Sequence, residues 1–330
     1  MDSLFNEYWL QLSQLFSNSQ QRLYWGYLLS ALLISALWLV FIEKGKSTKL
    51  NLKSLLISHW LSKSSSADYQ VILINKALFL IITPLLITKL YIATLIYEQL
   101  HLYIPIRSDL ADITPEWLVV TLFTLTLFIF DDFARFFLHK LMHEIPWLWH
   151  FHKTHHSADK LTPLTVLRSH PVEGLLFSLR SALVQGSCIA IFIYFFDDKV
   201  DLYTVLSVNV LLFIFNILGS NLRHTHIYIR YWHWLEALLI SPAQHQIHHS
   251  TLPAHFNKNY GATIAVWDKL FHSHCYSQLS DNLQFGLNSK QDSQEHSLYN
   301  LYIRAFVDIG KSIRSFLKSP KALKKRSLPD

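Results

Sequence analysis

The chain has 330 residues, of which 51% are hydrophobic, 14% aromatic and only 16% charged, with a mean hydropathy of +0.22; soluble domains carry about 25% charge, so a membrane-embedded chain is expected and a pair of ordinary soluble domains is not. Two cysteines, Cys188 and Cys275, are too few for a disulfide framework or a thiolate cluster. The net charge of +6 sits beside apolar segments and in the tail, which does not make nucleic acid an expected partner.

Residues 1–22 hold scattered aromatics but no continuous apolar run, and no short cleavable signal peptide is expected, because the first strong apolar stretch begins only at Leu23. Leu23 to Ile42 is uncharged over about 20 residues, the length that crosses a hydrocarbon core. Lys44, Lys46, Lys49, Lys53 and Lys63 follow it, and positively charged loops stay cytoplasmic, so this span is expected to run from outside to inside. A second span is expected from Val71 to Ile96, kinked at Pro84 or ending near Lys89, a costly charge at that depth. Trp117 to Leu138 reads as a third span. Gly174 to Phe196 reads as a fourth, with Arg180 snorkelling at its inner end, and Leu202 to Gly219 as a fifth. The tail from Ser297 to Leu317 steps its apolar residues at three and four, ahead of Lys318, Lys321, Lys324, Lys325 and Arg326; it reads as an amphipathic helix on anionic lipid. The expected fold is an all-α integral membrane protein with four or five transmembrane helices and a cytoplasmic histidine-rich helical cap. Its N-terminus is expected outside and its C-terminus inside. Three regions follow: 1–116 with two spans, 117–275 with the histidine boxes, and 276–330 as the amphipathic and basic tail.

Sixteen of the nineteen histidines lie between His139 and His274. HKLMH supplies His139 and His143, HKTHH supplies His152, His155 and His156, and HQIHH supplies His245, His248 and His249. Helix positions i, i+3 and i+4 share a face, so HKLMH is expected to offer two rings to one point and each HxxHH three. These eight rings exceed the shell of one ion and suit two. Imidazole suits iron, zinc, copper or nickel. Two zincs would use about six or seven rings and two irons about eight or more, so the count leaves both metals open. In NLRHTH, His224 and His226 stand at i and i+2 and do not share a helix face; His224 is preferred as a further ligand over His226. Asp132, seven residues before His139, shares its face. It would accept the second N–H of a ligand ring, pair with Arg135, or serve as a helix-end charge. His255 and His296 lie outside the boxes and are expected to be neutral positions.

The order HxxxH, HxxHH, HPxE and HxxHH on a multi-span chain resembles the fatty acid hydroxylase / sterol desaturase superfamily. The resemblance is carried by DDFARFFLHKLMH, WHFHKTHHSADKLTPLTVLRSHPVE, NLRHTHI, SPAQHQIHHS and NYGATIAVWDKLF, over roughly residues 130–272. It implies a di-iron centre held by His139, His143, His152, His155, His156, His245, His248 and His249, with His224 a further candidate. It also implies O2 as co-substrate and hydroxylation, or desaturation, of a lipid such as a sterol, fatty acyl lipid or carotenoid. His170 and Glu173 match HPxE, whose role would be ligation, support behind the ligands, or substrate positioning. The chain departs from the family at FHSH (Phe271–His274), where Gly-Thr is common, and at Lys140 in the first box. It shows no cysteine array and no haem-binding HPGG, so electrons are expected from a separate ferredoxin, rubredoxin or b-type cytochrome. The rival readings are a zinc-dependent membrane hydrolase and a non-enzymatic metal- or haem-binding membrane protein. The latter would need rings along the spans, whereas these cluster in polar segments.

Overall fold

The computed structural model describes residues 2–41, 56–104, 110–278, 283–287 and 296–318. The lysine run Lys44–Lys53 and the basic residues Lys321–Arg326 lie outside the described residues. Helices α1 (Asp2–Ser17) and α2 (Trp25–Phe41) precede α3 (Lys63–Ile82), whose first turn is capped by the Ser62 hydroxyl accepting from Ser65 N. Pro84 cannot continue the helical ladder. The chain therefore turns through Thr83–Leu85 and restarts as α4 (Lys89–Tyr103) behind the Thr88 cap, so the kink expected in the second span is a full break.

The framework is completed by α5 (Glu116–Glu144) and α7 (Pro171–Phe196), with α6 (Pro146–His156) between them. Lys63–Tyr103, Glu116–Glu144 and Pro171–Lys199 are each long and apolar enough to cross a membrane. Ile81, Leu90, Leu122, Phe130, Leu183 and Ile191 point outward from them, as side chains bathed in lipid tails do. The protein is mostly helical, and these three apolar helices mark it as a membrane protein. α2 is shorter, with 17 residues spanning about 26 Å. Arg180 does not snorkel: its Nη1 bonds the Asp131 carboxylate at 2.9 Å and the Asp131 carbonyl at 3.0 Å, because an acid on the facing helix satisfies the charge in place.

The fifth expected span is not a helix of that length. After α7 a hairpin of β1 (Thr204–Val205) and β2 (Val208–Asn209) turns through Leu206 and Ser207 at positive φ, and only eight residues follow as α8 (Val210–Ile217), about 12 Å long. The polar groups of Tyr203 N and Asn209 Nδ2 are bound to Thr124 on α5, at 3.0 and 3.1 Å. Gly219, at φ 96°, ends the segment in a left-handed turn.

At the C-terminal end of α5 and the N-terminal end of α7 lie α6, the turn Ser220–His224, α9 (Pro242–His248) and the short α10 (Val266–Leu270). The last described helix, α11 (Arg304–Lys318), packs across α6. It turns Asp308 inward to Lys153 at 2.6 Å and leaves Ile303, Phe306, Val307 and Ile313 facing outward.

Candidate metal centre

Three local signals build the site. Pro146 and Pro242 open α6 and α9 at the first helical turn, where the missing N–H costs nothing. Ser241 and Gln244 form a reciprocal capping box on α9. HPxE is itself a helix start: the His170 Nδ1 accepts from Val172 N, Pro171 stands at the first position, and Glu173 lies in the first turn.

Packing brings nine rings into two groups: His139, His143, His152, His156 and His248 in one, and His155, His224, His245 and His249 in the other. Within each group the donor atoms lie within 4.8 Å of one another. Each HxxHH is therefore divided, which differs from the expectation that its three rings meet at one point. His152 and His156 turn to the first group and His155 to the second, while His245 and His249 turn to the second and His248 to the first. The reason is geometric. Positions i and i+4 point nearly alike, but i+3 is rotated by about 60° from i and meets the neighbouring cluster.

In the four-ring group, His224 Nε2 lies 3.1 Å from His245 Nε2, 3.2 Å from His249 Nε2 and 3.3 Å from His155 Nε2. Nitrogens sharing one ion at about 2.1 Å are about 3.0–3.4 Å apart, so the spacing suits a common cation. In the five-ring group, Nε2 of His143, His156 and His248 is buried without a hydrogen-bond partner. Neutral rings facing lone pairs at one another repel, and a cation between them removes that cost. The donor set fits a metal pair.

For four of the rings the opposite nitrogen has a partner that favours one tautomer. His139 Nδ1 donates to the Tyr260 carbonyl at 2.8 Å, His248 Nδ1 to the Lys258 carbonyl at 2.8 Å and His155 Nδ1 to the Arg168 carbonyl at 3.2 Å. His152 Nδ1 meets Glu173 Oε1 at 3.0 Å. With Nδ1 holding the proton, Nε2 is left as the lone pair that a metal takes. Burial holds His152 down to about 3 and His155 down to about 4. Burial first, and neighbouring rings second, push His156, His224, His245 and His249 well below the usual imidazole value. These rings are neutral donors at pH 7.

Asp132 does not touch a ring, nor does it pair with Arg135, which bonds Asp131 at 2.7 Å. Its Oδ2 accepts from Ile264 N and Trp267 Nε1, both at 3.0 Å, tying α5 to the WDKLF turn. Glu173 makes the ring contact expected of Asp132. Both nitrogens of His170 are occupied, Nε2 donating to the Tyr302 carbonyl at 3.0 Å and Nδ1 capping α7. His226 stacks near His59, with ring centres 4.7 Å apart, and joins neither group. His255 also lies outside both. His296 is not the neutral position expected from its place in the sequence, because its Nδ1 lies 3.0 Å from Arg168 Nη2. Arg168 is fully buried, pairs with Asp68 at 3.1 Å, binds the Ser157 hydroxyl at 2.7 Å, and presents the carbonyl that holds His155. Arg168 and the accepting carbonyls of Lys258 and Tyr260 escape a reading by side-chain type, although NYGATIAVWDKLF contains Tyr260 and the Asp268 that grips it. The Asp268 carboxylate accepts from Tyr260 N at 2.7 Å and Gly261 N at 2.8 Å, which aims the Tyr260 carbonyl at His139.

A family model described as fatty acid hydroxylase matches residues 124–273. Alkylglycerol monooxygenase of Xenopus tropicalis is 29% identical over 140 residues, covering 42% of this chain and 28% of that protein. Delta(7)-sterol 5(6)-desaturase of Gibberella zeae is 28% identical over 159 residues, 48% of this chain and 43% of that protein. Ornithine lipid hydroxylase of Rhizobium tropici is 30% identical over 139 residues, 42% of this chain and 38% of that protein. The chain thus spans less than half the length of these curated relatives. No solved structure matches it.

Proposed function

We propose that the protein is a membrane-bound, oxygen-dependent di-iron monooxygenase that hydroxylates, or desaturates, a lipid, a reading supported by the match of residues 124–273 to the fatty acid hydroxylase family model. The observation that carries this reading is the pair of imidazole groups, nine rings without a thiolate or a directly coordinating carboxylate among them. The ligands in this reading are His139, His143, His152, His156 and His248 for one iron and His155, His224, His245 and His249 for the other. An unactivated C–H bond does not yield to acid–base groups, and a pair of iron ions supplies the oxygen reduction that such a bond requires.

The chain's own residues do the rest. Glu173, the Arg168, Lys258 and Tyr260 carbonyls, and burial keep the rings oriented and neutral. The apolar outer faces of the spans let a lipid arrive sideways from the bilayer. In this reading the histidines and the C-terminus are cytoplasmic, the N-terminus is outside, and α11 rests its apolar stripe on the membrane surface. Electrons come from a separate ferredoxin, rubredoxin or b-type cytochrome.

The test is metal analysis with oxygen uptake on the purified chain. About two irons per chain and oxygen consumption only with a reductant are expected. His155→Ala and His248→Ala, drawn from different groups, should each lower iron content and abolish uptake while the spans stay folded in detergent. Tight zinc with activity that needs neither oxygen nor reductant would replace this reading with a hydrolase.

A further inference from the structure

Two arginines packed inside the fold each meet an acid. Arg168 pairs with Asp68 at 3.1 Å and Arg180 with Asp131 at 2.9 Å. Arg223 and Arg22 do not: among the described residues no carboxylate lies within 4.0 Å of either guanidinium. Arg223 is 5% exposed, and its Nε and Nη2 are both buried without an acceptor. The Phe215 ring covers it, with the ring centre 4.6 Å from the guanidinium carbon. Arg22, on the turn before α2, donates from Nη1 to Asn216 Oδ1 at 3.0 Å and leaves its Nε buried and unpaired. That amide oxygen is shared, since it also accepts from the Ser220 hydroxyl at 3.0 Å.

Arg223 directly precedes His224 on the turn Ser220–His224, and Asn221 Nδ2 on the same turn donates to the Arg22 carbonyl at 2.8 Å, which brings both arginines to the four-ring group. Burying a cation without a counter-charge is costly. Imidazoles are neutral and offset none of that cost, and any metal cation they hold adds to it. A guanidinium's planar fork matches the two oxygens of a carboxylate or phosphate. The surroundings are apolar: α2 packs on the turn that carries Arg223 through the cluster of Ala31, Leu222 and Ile229, with Ile34 and Trp38 alongside. An anion reaching this point from the bilayer side carries a hydrocarbon chain.

We propose that Arg223 and Arg22 form the binding site for the carboxylate or phosphate headgroup of the lipid substrate, holding it beside His224 and His245. The proposal rests on the lipid-oxygenase reading for the word substrate, but its test does not depend on iron or turnover.

The purified full-length chain in uncharged detergent is titrated with labelled hexadecanoate, hexadecyl phosphate and hexadecanol, with inorganic phosphate as competitor. The two anionic lipids should bind about tenfold or more tighter than the alcohol, with inorganic phosphate displacing them poorly. Arg223→Met should erase the preference and raise the melting temperature of the lipid-free protein by about 2–4 °C, since it removes an unpaired buried charge. Arg22→Gln should reduce the preference, and decides the matter if Arg223→Met does not fold. Hexadecanol binding as tightly as hexadecanoate would overturn the proposal. So would an Arg223→Met protein that melts lower and keeps the preference, since the arginine would then be structural. Inorganic phosphate competing as well as hexadecyl phosphate would make this a small-anion site and refute the lipid assignment. Failure of the oxygenase reading would show instead in iron content and oxygen uptake, with the binding result unchanged.

Discussion

Among the described residues, Glu173 is the one carboxylate that meets a ring of the two groups, accepting from His152 Nδ1 at 3.0 Å while 5% exposed. An amide at that position still fills the space but no longer strengthens the ring as a donor. Glu173→Gln should therefore lower metal affinity or turnover by about ten- to a hundredfold with the fold retained, as read by iron content and size-exclusion profile. Unchanged iron and turnover would reduce Glu173 to a helix-start residue. The rings also make the metal-free protein acid-sensitive. His155 is held down to about 4 against about 6.5 in an unfolded chain, so between those values the unfolded state binds more protons. The stability contributed by the neutral ring is full above about pH 6.5 and is lost as pH falls toward 4. Thermal melts of metal-free protein should drop through that window. A flat profile from pH 7 to 4 would contradict the buried neutral rings.

Among the elements, the turn 258–268 shows how backbone serves chemistry. Asp268 grips Tyr260 N and Gly261 N, and a Cβ at Gly261 would meet Asp268 Oδ2 and Ile240 Cγ1, each at 2.8 Å. Gly261→Ala must push Asp268 or Ile240 aside, costing about 1–3 kcal/mol, and it swings the Tyr260 carbonyl off His139. A lower melting temperature together with reduced iron is expected. A variant that keeps both values would show that this turn does not position the ring. HPxE works on the same principle, because its proline and capping histidine start α7 at the point where Glu173 faces α6.

For the whole molecule, Lys63, Glu144 and Pro171 mark the ends of three apolar stretches that meet the histidine groups on one side. The spans expose apolar side chains outward and keep Asp131 and Arg180 paired inside. With the histidine side taken as cytoplasmic, reporters fused at Lys63 and Lys311 should both report the cytoplasm and one at Ser3 the outside. Lys63 and Lys311 on opposite faces would break that arrangement.

Composition and uncharged runs marked three stretches that the structure shows as helices long and apolar enough to cross a membrane, because apolar length is a one-dimensional property. The histidine boxes and NLRHTH likewise marked all nine rings of the two groups. The fifth span was misjudged because hydropathy does not register a tight hairpin pinned to Thr124. Only the tertiary structure divided each HxxHH between two groups, since spacing says which rings share a helix face and not which neighbour they meet. It also transferred the ring contact from Asp132 to Glu173, and gave part of the support to the carbonyls of Arg168, Lys258 and Tyr260. A carbonyl is the same in every residue and leaves no mark in sequence. Arg22 and Arg223, about two hundred residues apart, become a pair of unmatched charges only when α2 is laid against the turn that carries His224, and the cost of burying them is set by that packing.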